Sequence, residues 1–461
     1  MTLPAAPRAL LALLVGCTAA TALAAPLTPQ QVEAASDRAA RTWLGDKRIA
    51  GFSIAVLQDG QPLFEKSYGL AHVELNTPMP QGAVYEIASE AKPFTAAAVL
   101  RLAAQGKLRL DAPLAEYLPD VLPDGIPAKV TLRQMLTHTS GIAEFTAIEG
   151  FDALSSRNVS AEEVVKLIAT QPLAFEPGTQ QAYSNSAYLI LGMVIRKVSG
   201  QSWAHYVEQT FLSPLGLRGS RASRNLEIVP NLATPYELDG ERLVRAPYHS
   251  NELIHGNAGI RSTAGDMARW VEALHGGRVL DAAMYRQMTR PAALSDGTPL
   301  RYGLGLVVAD RLLGHRAYFH GGTFPGYMSY AVYLPERRLA VAVLTNTTGP
   351  FSEDAIARNV LKGLIGDATV APRAVPVDFA PYVGEYVANV RTGRRMKVAV
   401  ADGVLTSFVE PWDREPRRFI AQGNDRFTSE WFDLTFIRRD GKIVGVRLSS
   451  QVSSVRFERA P

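Results

Sequence analysis

The chain contains a single Ser-x-x-Lys, formed by Ser89 and Lys92 in Glu86-Ile87-Ala88-Ser89-Glu90-Ala91-Lys92-Pro93-Phe94. Three residues is close to one helical turn, so in a helix the hydroxyl and the amine share a face and can touch. A serine hydroxyl is a poor nucleophile until a base removes its proton, and a lysine serves as that base only when burial or nearby charge lowers its pKa. The same spacing also describes a solvated lysine one turn after a helix-start serine, so the pair alone does not decide. A second feature is the only Tyr-x-Asn, Tyr183-Ser184-Asn185, just ahead of an apolar helical run at 187–198. In extended chain, residues two apart face the same way. A tyrosine beside a lysine can relay protons, and an asparagine amide can hold both the lysine and a substrate carbonyl. The competing explanation is a tyrosine packed under the helix with Asn185 as its N-cap.

Two His-Gly-Gly triplets differ in context. His275-Gly276-Gly277 ends the helical run 266–274, where glycine is the expected stop and histidine suits the negative helix end, which makes it structural. His320-Gly321-Gly322-Thr323 follows the strand-like stretch 316–319. Glycines there let a substrate approach a strand edge closely, leaving backbone N–H groups free for a developing oxyanion.

These residues must be carried by a body with a large core. The chain has 461 residues, 47% of them hydrophobic, and a net charge of +4 spread along its length. That balance does not imply nucleic acid. The basic cluster from Arg391 to Lys397 reads as a solvated strand face rather than a site for an anionic partner such as a cell-envelope surface. Residues 1–24 read as a signal peptide: Arg8, an apolar run at 9–15, then Ala22-Leu23-Ala24. The expectation is a soluble periplasmic or secreted protein. The alternative is a membrane-anchored lipoprotein, because Leu14-Val15-Gly16-Cys17 resembles a lipobox. No later segment has the length and apolarity of a transmembrane span. Cys17 is the only cysteine, so the mature body has no disulfide, thiol nucleophile or cysteine-based metal site. Gly-x-Ser-x-Gly, His-Glu-x-x-His and a phosphate-binding glycine loop are also missing, against an α/β-hydrolase, a zincin or a nucleotide enzyme.

The order of elements is strands, then helices, then strands. A first helix at 30–44 precedes strands at 51–58 and 62–68 joined at Asp59-Gly60. A buried helix at 94–106, opened by Ser89, precedes a middle region of helices and loops with little strand character. Strands return at 303–309, 316–319, 327–334 and 339–345. This pattern predicts an α+β fold, an antiparallel sheet flanked by helices with a mostly helical subdomain, rather than a doubly wound parallel sheet. Past a linker at 371–378, eight short alternating runs at 383–387, 396–400, 404–409, 418–422, 426–431, 432–438, 443–448 and 455–459 predict a small antiparallel β-barrel.

With these motifs in this order, the chain resembles the serine β-lactamase and penicillin-binding-protein-like hydrolases, in the branch of class C β-lactamases, D-aminopeptidases, D-alanyl-D-alanine carboxypeptidases and family VIII esterases. Further shared stretches are Leu136-Thr137-His138-Thr139-Ser140-Gly141, Ala258-Gly259-Ile260-Arg261-Ser262-Thr263-Ala264, Tyr302-Gly303-Leu304-Gly305 and Leu344-Thr345-Asn346. The resemblance runs from about Leu27 to about Gly366. It implies a hydrolase domain at 27–370 and a lipocalin-like β domain at 376–461. It also implies that Ser89 is the acylated nucleophile, that Lys92 and Tyr183 share the base role, and that Asn185 positions Lys92 and the substrate carbonyl. His320, Gly322 and Thr323 would line the substrate strand, with the backbone N–H groups of Ser89 and Thr323 as oxyanion hole. His138 would support a helix end. The departure is His320, where β-lactamases carry a permanently charged lysine; histidine is mostly neutral there. The expected function is therefore an exported serine hydrolase acting on small amides or esters, D-amino-acid peptides or short esters among them. A class C-like β-lactamase and an acylation-trapped β-lactam- or peptidoglycan-binding module are the alternatives. The expected partner is a small-molecule or peptide substrate, with no cofactor and no metal; the oligomeric state is left open.

Overall fold

The structure is a computed structural model describing residues 26–460 apart from 46–47, 124, 158–159, 251–253, 369–373, 389–393, 411–412, 414 and 430. The leader, Cys17, the start of the linker and residues 391–393 of the basic cluster at 391–397 lie outside the described residues. Seven antiparallel strands form the main sheet, in the order Thr77–Pro78, Gln61–His72, Gly51–Gln58, Leu339–Thr345, Tyr327–Leu334, His315–Phe324, Val307–Leu312. Both faces of its centre are buried, which explains the unbroken apolar run of Leu339–Thr345. Leu339, Val341 and Val343 point to a core shared with the helices Pro29–Gly45 and Ala355–Ile365. Ala340, Ala342 and Leu344 point to the opposite core, and the two alanines give room for helix Ala264–His275. Beyond that helix lies the helical subdomain, whose centre is the pair Ala91–Ala104 and Asn185–Ser199. Helix Ala91–Ala104 is apolar on nearly every side because it is buried on nearly every side.

The sheet departs from expectation at one strand and extends another. Residues 303–306 are not strand; the edge strand is Val307–Leu312. A Cβ at Gly303 would lie 2.1 Å from the Met288 carbonyl, and one at Gly305 2.5 Å from Ala96 Cβ, so this stretch is pressed against helices instead of pairing. The stretch around 316–319 belongs to a longer strand, His315–Phe324, and His320 to Thr323 lie inside it. Its neighbour Tyr327–Leu334 keeps pairing with it to the turn at Gly326, so glycines 321 and 322 do not end it. The middle region also holds short strands at Arg221–Ala222, Tyr236–Asp239, Arg242–Arg245 and Ile260–Ser262.

The carboxy-terminal strands Gly384–Ala388, Arg395–Ala401, Val404–Val409, Arg417–Gly423, Arg426–Thr428, Asp433–Arg439, Lys442–Ser449 and Ser454–Arg459 close into a barrel in chain order. The first pairs with the last through Tyr386 and Arg459. Two of its hairpins turn at Asp402-Gly403 and Asp440-Gly441, where both residues take positive φ as a tight primed turn needs. Tyr386, Phe419, Phe427, Phe436 and Phe457 fill the interior. The barrel docks on the main body through a two-way backbone bridge: Gln181 N–H donates to the Ser454 carbonyl at 3.0 Å, and Ser454 N–H to the Gln181 carbonyl at 2.8 Å. Arg456 N–H donates to Gln180 Oε1, Arg447 pairs with Asp296 at 2.8 Å, and Arg301 pairs with Asp433. Gln181 lies two residues before Tyr183.

Candidate active site

Ser89 sits on a 3-10 turn, Ala88–Glu90, that runs directly into helix Ala91–Ala104. Ala88 has φ +49°, a conformation that costs a residue with a Cβ on the order of 1 kcal/mol or more, so the surroundings must hold it. They do so from four directions. Glu86 is buried in an ion pair with Arg261 at 2.6 Å, and the Ser223 hydroxyl donates to its other oxygen. Ile87 N–H donates to the Ile260 carbonyl, and the Ile87 carbonyl accepts from Ser329 Oγ. Glu90, itself buried, accepts the Ala331 N–H at 2.5 Å, and burial pushes its carboxyl well above the usual range.

Lys92 is one turn on, with no solvent exposure. Its Nζ lies 3.0 Å from Ser89 Oγ, 2.8 Å from Asn185 Oδ1 and 3.0 Å from the Asn257 carbonyl. Burial lowers its pKa to about 7, against an opposing pull from the Glu144 carboxylate. Asn185 is oriented by that same glutamate, which accepts its backbone N–H at 2.5 Å and its Nδ2 at 3.0 Å, so Oδ1 must face Lys92. Asn185 is not the N-cap of its helix. Ser184 is, its Oγ accepting the Ala187 N–H at 3.1 Å, and this frees the Asn185 amide for the cluster.

The Tyr183 ring lies 4.6 Å from Lys92 Nζ. Burial pushes the phenol well above its ordinary pKa, and the Ser89 hydroxyl near it opposes this. His138 holds the tyrosine from behind. Its ring packs 4.5 Å from the Tyr183 ring, and Nδ1 accepts the Ser184 N–H at 3.1 Å. It takes φ +60° just past the helix Leu132–Leu136, and burial drives its pKa well down. His320 is buried too; burial, with Lys92 nearby, lowers its pKa to about 3. Its Nδ1 is 2.6 Å from the Gly321 carbonyl, an acceptor only, so Nδ1 carries the proton and Nε2 accepts the Tyr302 hydroxyl at 3.0 Å. His275 stacks on Tyr318 and Tyr333, away from this cluster.

Strand His315–Phe324 brings Gly322 against the serine turn. A Cβ there would lie 2.3 Å from the Ile87 carbonyl, 2.5 Å from Ser329 Oγ and 3.0 Å from the Ser89 nitrogen. Val307–Leu312 pairs with this strand only as far as Phe319, so from His320 on the outer edge has no strand partner among the described residues. Thr323 is exposed there, and its hydroxyl donates to Glu353 Oε1 at 2.6 Å.

Ser89, Lys92, Tyr183, Asn185, His320, Gly322 and Thr323 thus lie around one cleft. Three further residues belong to it that sequence reasoning did not single out: Glu144, which aims Asn185; Asn257, whose carbonyl receives Lys92; and Glu353 beside Thr323. Glu144 and Asn257 act across sequence separations of 41 and 165 residues, and each lies just outside a shared stretch, three residues after Gly141 and one before Ala258. A further local hint is Gly256, where a Cβ would meet the Tyr188 carbonyl at 2.5 Å.

The sequence profile of the Beta-lactamase family matches residues 31–364. The chain belongs to the Beta-lactamase family of serine hydrolases. Within the Beta-lactamase family, Penicillin-binding protein 4* of Bacillus subtilis (strain 168) is 26% identical over 370 residues, 75% of this chain and 81% of its own length. D-aminopeptidase of Gluconobacter oxydans (strain 621H) is 26% identical over 298 residues, 64% of this chain and 55% of its own length, so the chain spans about half of that relative. The solved structure of SurE shares the fold with a TM-score of 0.68 at 23% identity, over 94% of this chain and 99% of that one.

Proposed function

We propose that this chain is an exported hydrolase that forms an acyl-enzyme on Ser89 from small amides or esters, with D-amino-acid peptides and short esters as the substrate class. The observation that carries the reading is Lys92 Nζ, buried against Ser89 Oγ at 3.0 Å with a pKa lowered to about 7. As Ser89 Oγ bonds to the carbonyl carbon, its proton passes to Lys92 or Tyr183, and Asn185 steers the lysine. The carbonyl oxygen takes up the negative charge facing the backbone N–H groups of Ser89 and Thr323. Collapse breaks the bond to the amine or alcohol, which leaves with the proton returned through Tyr183; water then repeats the sequence on the ester to free the acid. A neutral His320 supports substrates other than β-lactams, since it supplies no fixed charge for a carboxylate. Export is supported by the leader-like residues 1–24, and the D-peptide class by the D-aminopeptidase among the relatives.

The experiment is Ser89→Ala assayed on p-nitrophenyl acetate beside the wild type. The expected result is a loss of at least about a thousandfold in kcat/KM with an unchanged melting temperature. Undiminished turnover by the purified variant would remove Ser89 from the mechanism.

A further inference from the structure

Side chains alternate across a strand, so Gly322 faces the serine turn while Gly321 and Thr323 face the other side. What stands on that other side is Glu353. A Cβ at Gly321 would be 3.2 Å from Glu353 Cβ and 3.5 Å from Cγ, and the Thr323 hydroxyl holds Oε1 at 2.6 Å. The carboxylate therefore stands beside the unpaired strand edge, on the face opposite the one that Gly322 turns to the serine turn, and the missing side chain at Gly321 leaves space next to it.

Nothing else in the structure explains this carboxylate. It makes no ion pair and caps no helix N–H among the described residues. The following helix, Ala355–Ile365, has its own anchor: Asp354 pairs with Arg358 at 3.0 Å, and the Arg358 guanidinium also lies 4.6 Å over the Trp431 ring. His320, on the same strand, is held neutral by burial and by Lys92 nearby. The charge is close enough to the reaction centre to raise the pKa of both Tyr183 and Glu90.

We propose that Glu353 is a specificity-determining residue that receives an ammonium group of a substrate lying along the edge from Gly321 to Thr323 and turns carboxylates away. The cleft would then prefer cationic acyl donors, such as amino-acid amides and esters with a free amine, over neutral ones, and neutral over anionic ones. This rests on the reading of Ser89 as acyl acceptor, and the test separates the two.

Three activated esters of similar size and different charge are compared at pH 6.5: glycine p-nitrophenyl ester, p-nitrophenyl propionate and mono-p-nitrophenyl succinate. The expected wild-type ranking in kcat/KM is cation, neutral, anion. In Glu353→Gln, which keeps an acceptor for Thr323, the cation-to-neutral ratio falls about tenfold or more, mainly through KM, because the lost attraction acts at short range. Measured against the neutral ester in the same variant, the anion gains. Cation-to-neutral and anion-to-neutral ratios that stay at their wild-type values in the variant overturn the assignment of Glu353 while leaving Ser89 in place. Turnover of all three that survives Ser89→Ala overturns both readings.

Discussion

Lys92 has three oxygen neighbours, and their chemistry decides what its proton can do. The Asn257 carbonyl and Asn185 Oδ1 are acceptors only, so a neutral lysine can turn its lone pair toward one neighbour with a proton to give, the Ser89 hydroxyl. With the pKa at about 7, about a tenth of the lysine is free amine at pH 6 and about nine-tenths at pH 8. The expected pH profile of kcat/KM for a neutral ester therefore rises about tenfold per unit below 7 and flattens above it. His320, at about 3, adds no limb between pH 5 and 9. A profile flat from pH 5.5 to 8.5 would show that Lys92 is not the group that takes the proton. The same shift bears on stability: between about 7 and 10.5 the unfolded chain holds a proton the folded one lacks, so this group's contribution rises with pH across that window. Ser89, Lys92, Tyr183, Asn185 and His320 were legible because each sits in a short local pattern. Glu144, Asn257 and Glu353 were not, since an isolated acid or amide in a loop carries no spacing that betrays which distant group it meets.

At the level of elements, the site depends on how closely strand His315–Phe324 approaches the serine turn. Gly322 sets that distance, and Gly322→Ala would force Ile87 and Ser329 apart by an ångström or so. The expected consequence is a drop on the order of a hundredfold in the rate at which a fluorophosphonate labels Ser89, because displacement on that scale costs about that much in acyl transfer. Labelling at the wild-type rate would mean that the strand edge does not set the geometry of the serine. Much of the scaffold could be read in advance from alternation and turns: the central strands, the helix after Ser89 and all eight barrel strands follow apolar period and Asp-Gly signals. The failure at 303–306 has a plain cause. Tyr302-Gly303-Leu304-Gly305-Leu306 has the composition of a strand, but whether it pairs or packs on helices depends on Met288 and Ala96, which local sequence cannot show.

For the molecule as a whole, the barrel and the sheet body are joined beside the catalytic tyrosine candidate, through Gln181–Ser454 and the half-exposed pair of buried Arg447 with Asp296. Calorimetry should therefore show one unfolding endotherm for both, and Arg447→Ala, which removes a charged hydrogen bond of about 1.5–3 kcal/mol, should lower or split it. Two well-separated endotherms in the wild type would mean that the joint carries little. That joint has a further consequence for how the protein can vary. Its two central bonds are made by main-chain N–H and C=O groups on both sides, so they ask nothing of the side chains at 181 and 454 except that neither be proline; what limits those side chains is their burial, Gln181 Nε2 donating to the Thr137 carbonyl and Ser454 Oγ bonding Ser449. Homologues could thus exchange either side chain for another that fits its own buried pocket while inheriting the same joint, leaving between 181 and 454 no correlated substitutions by which a comparison of sequences could find it.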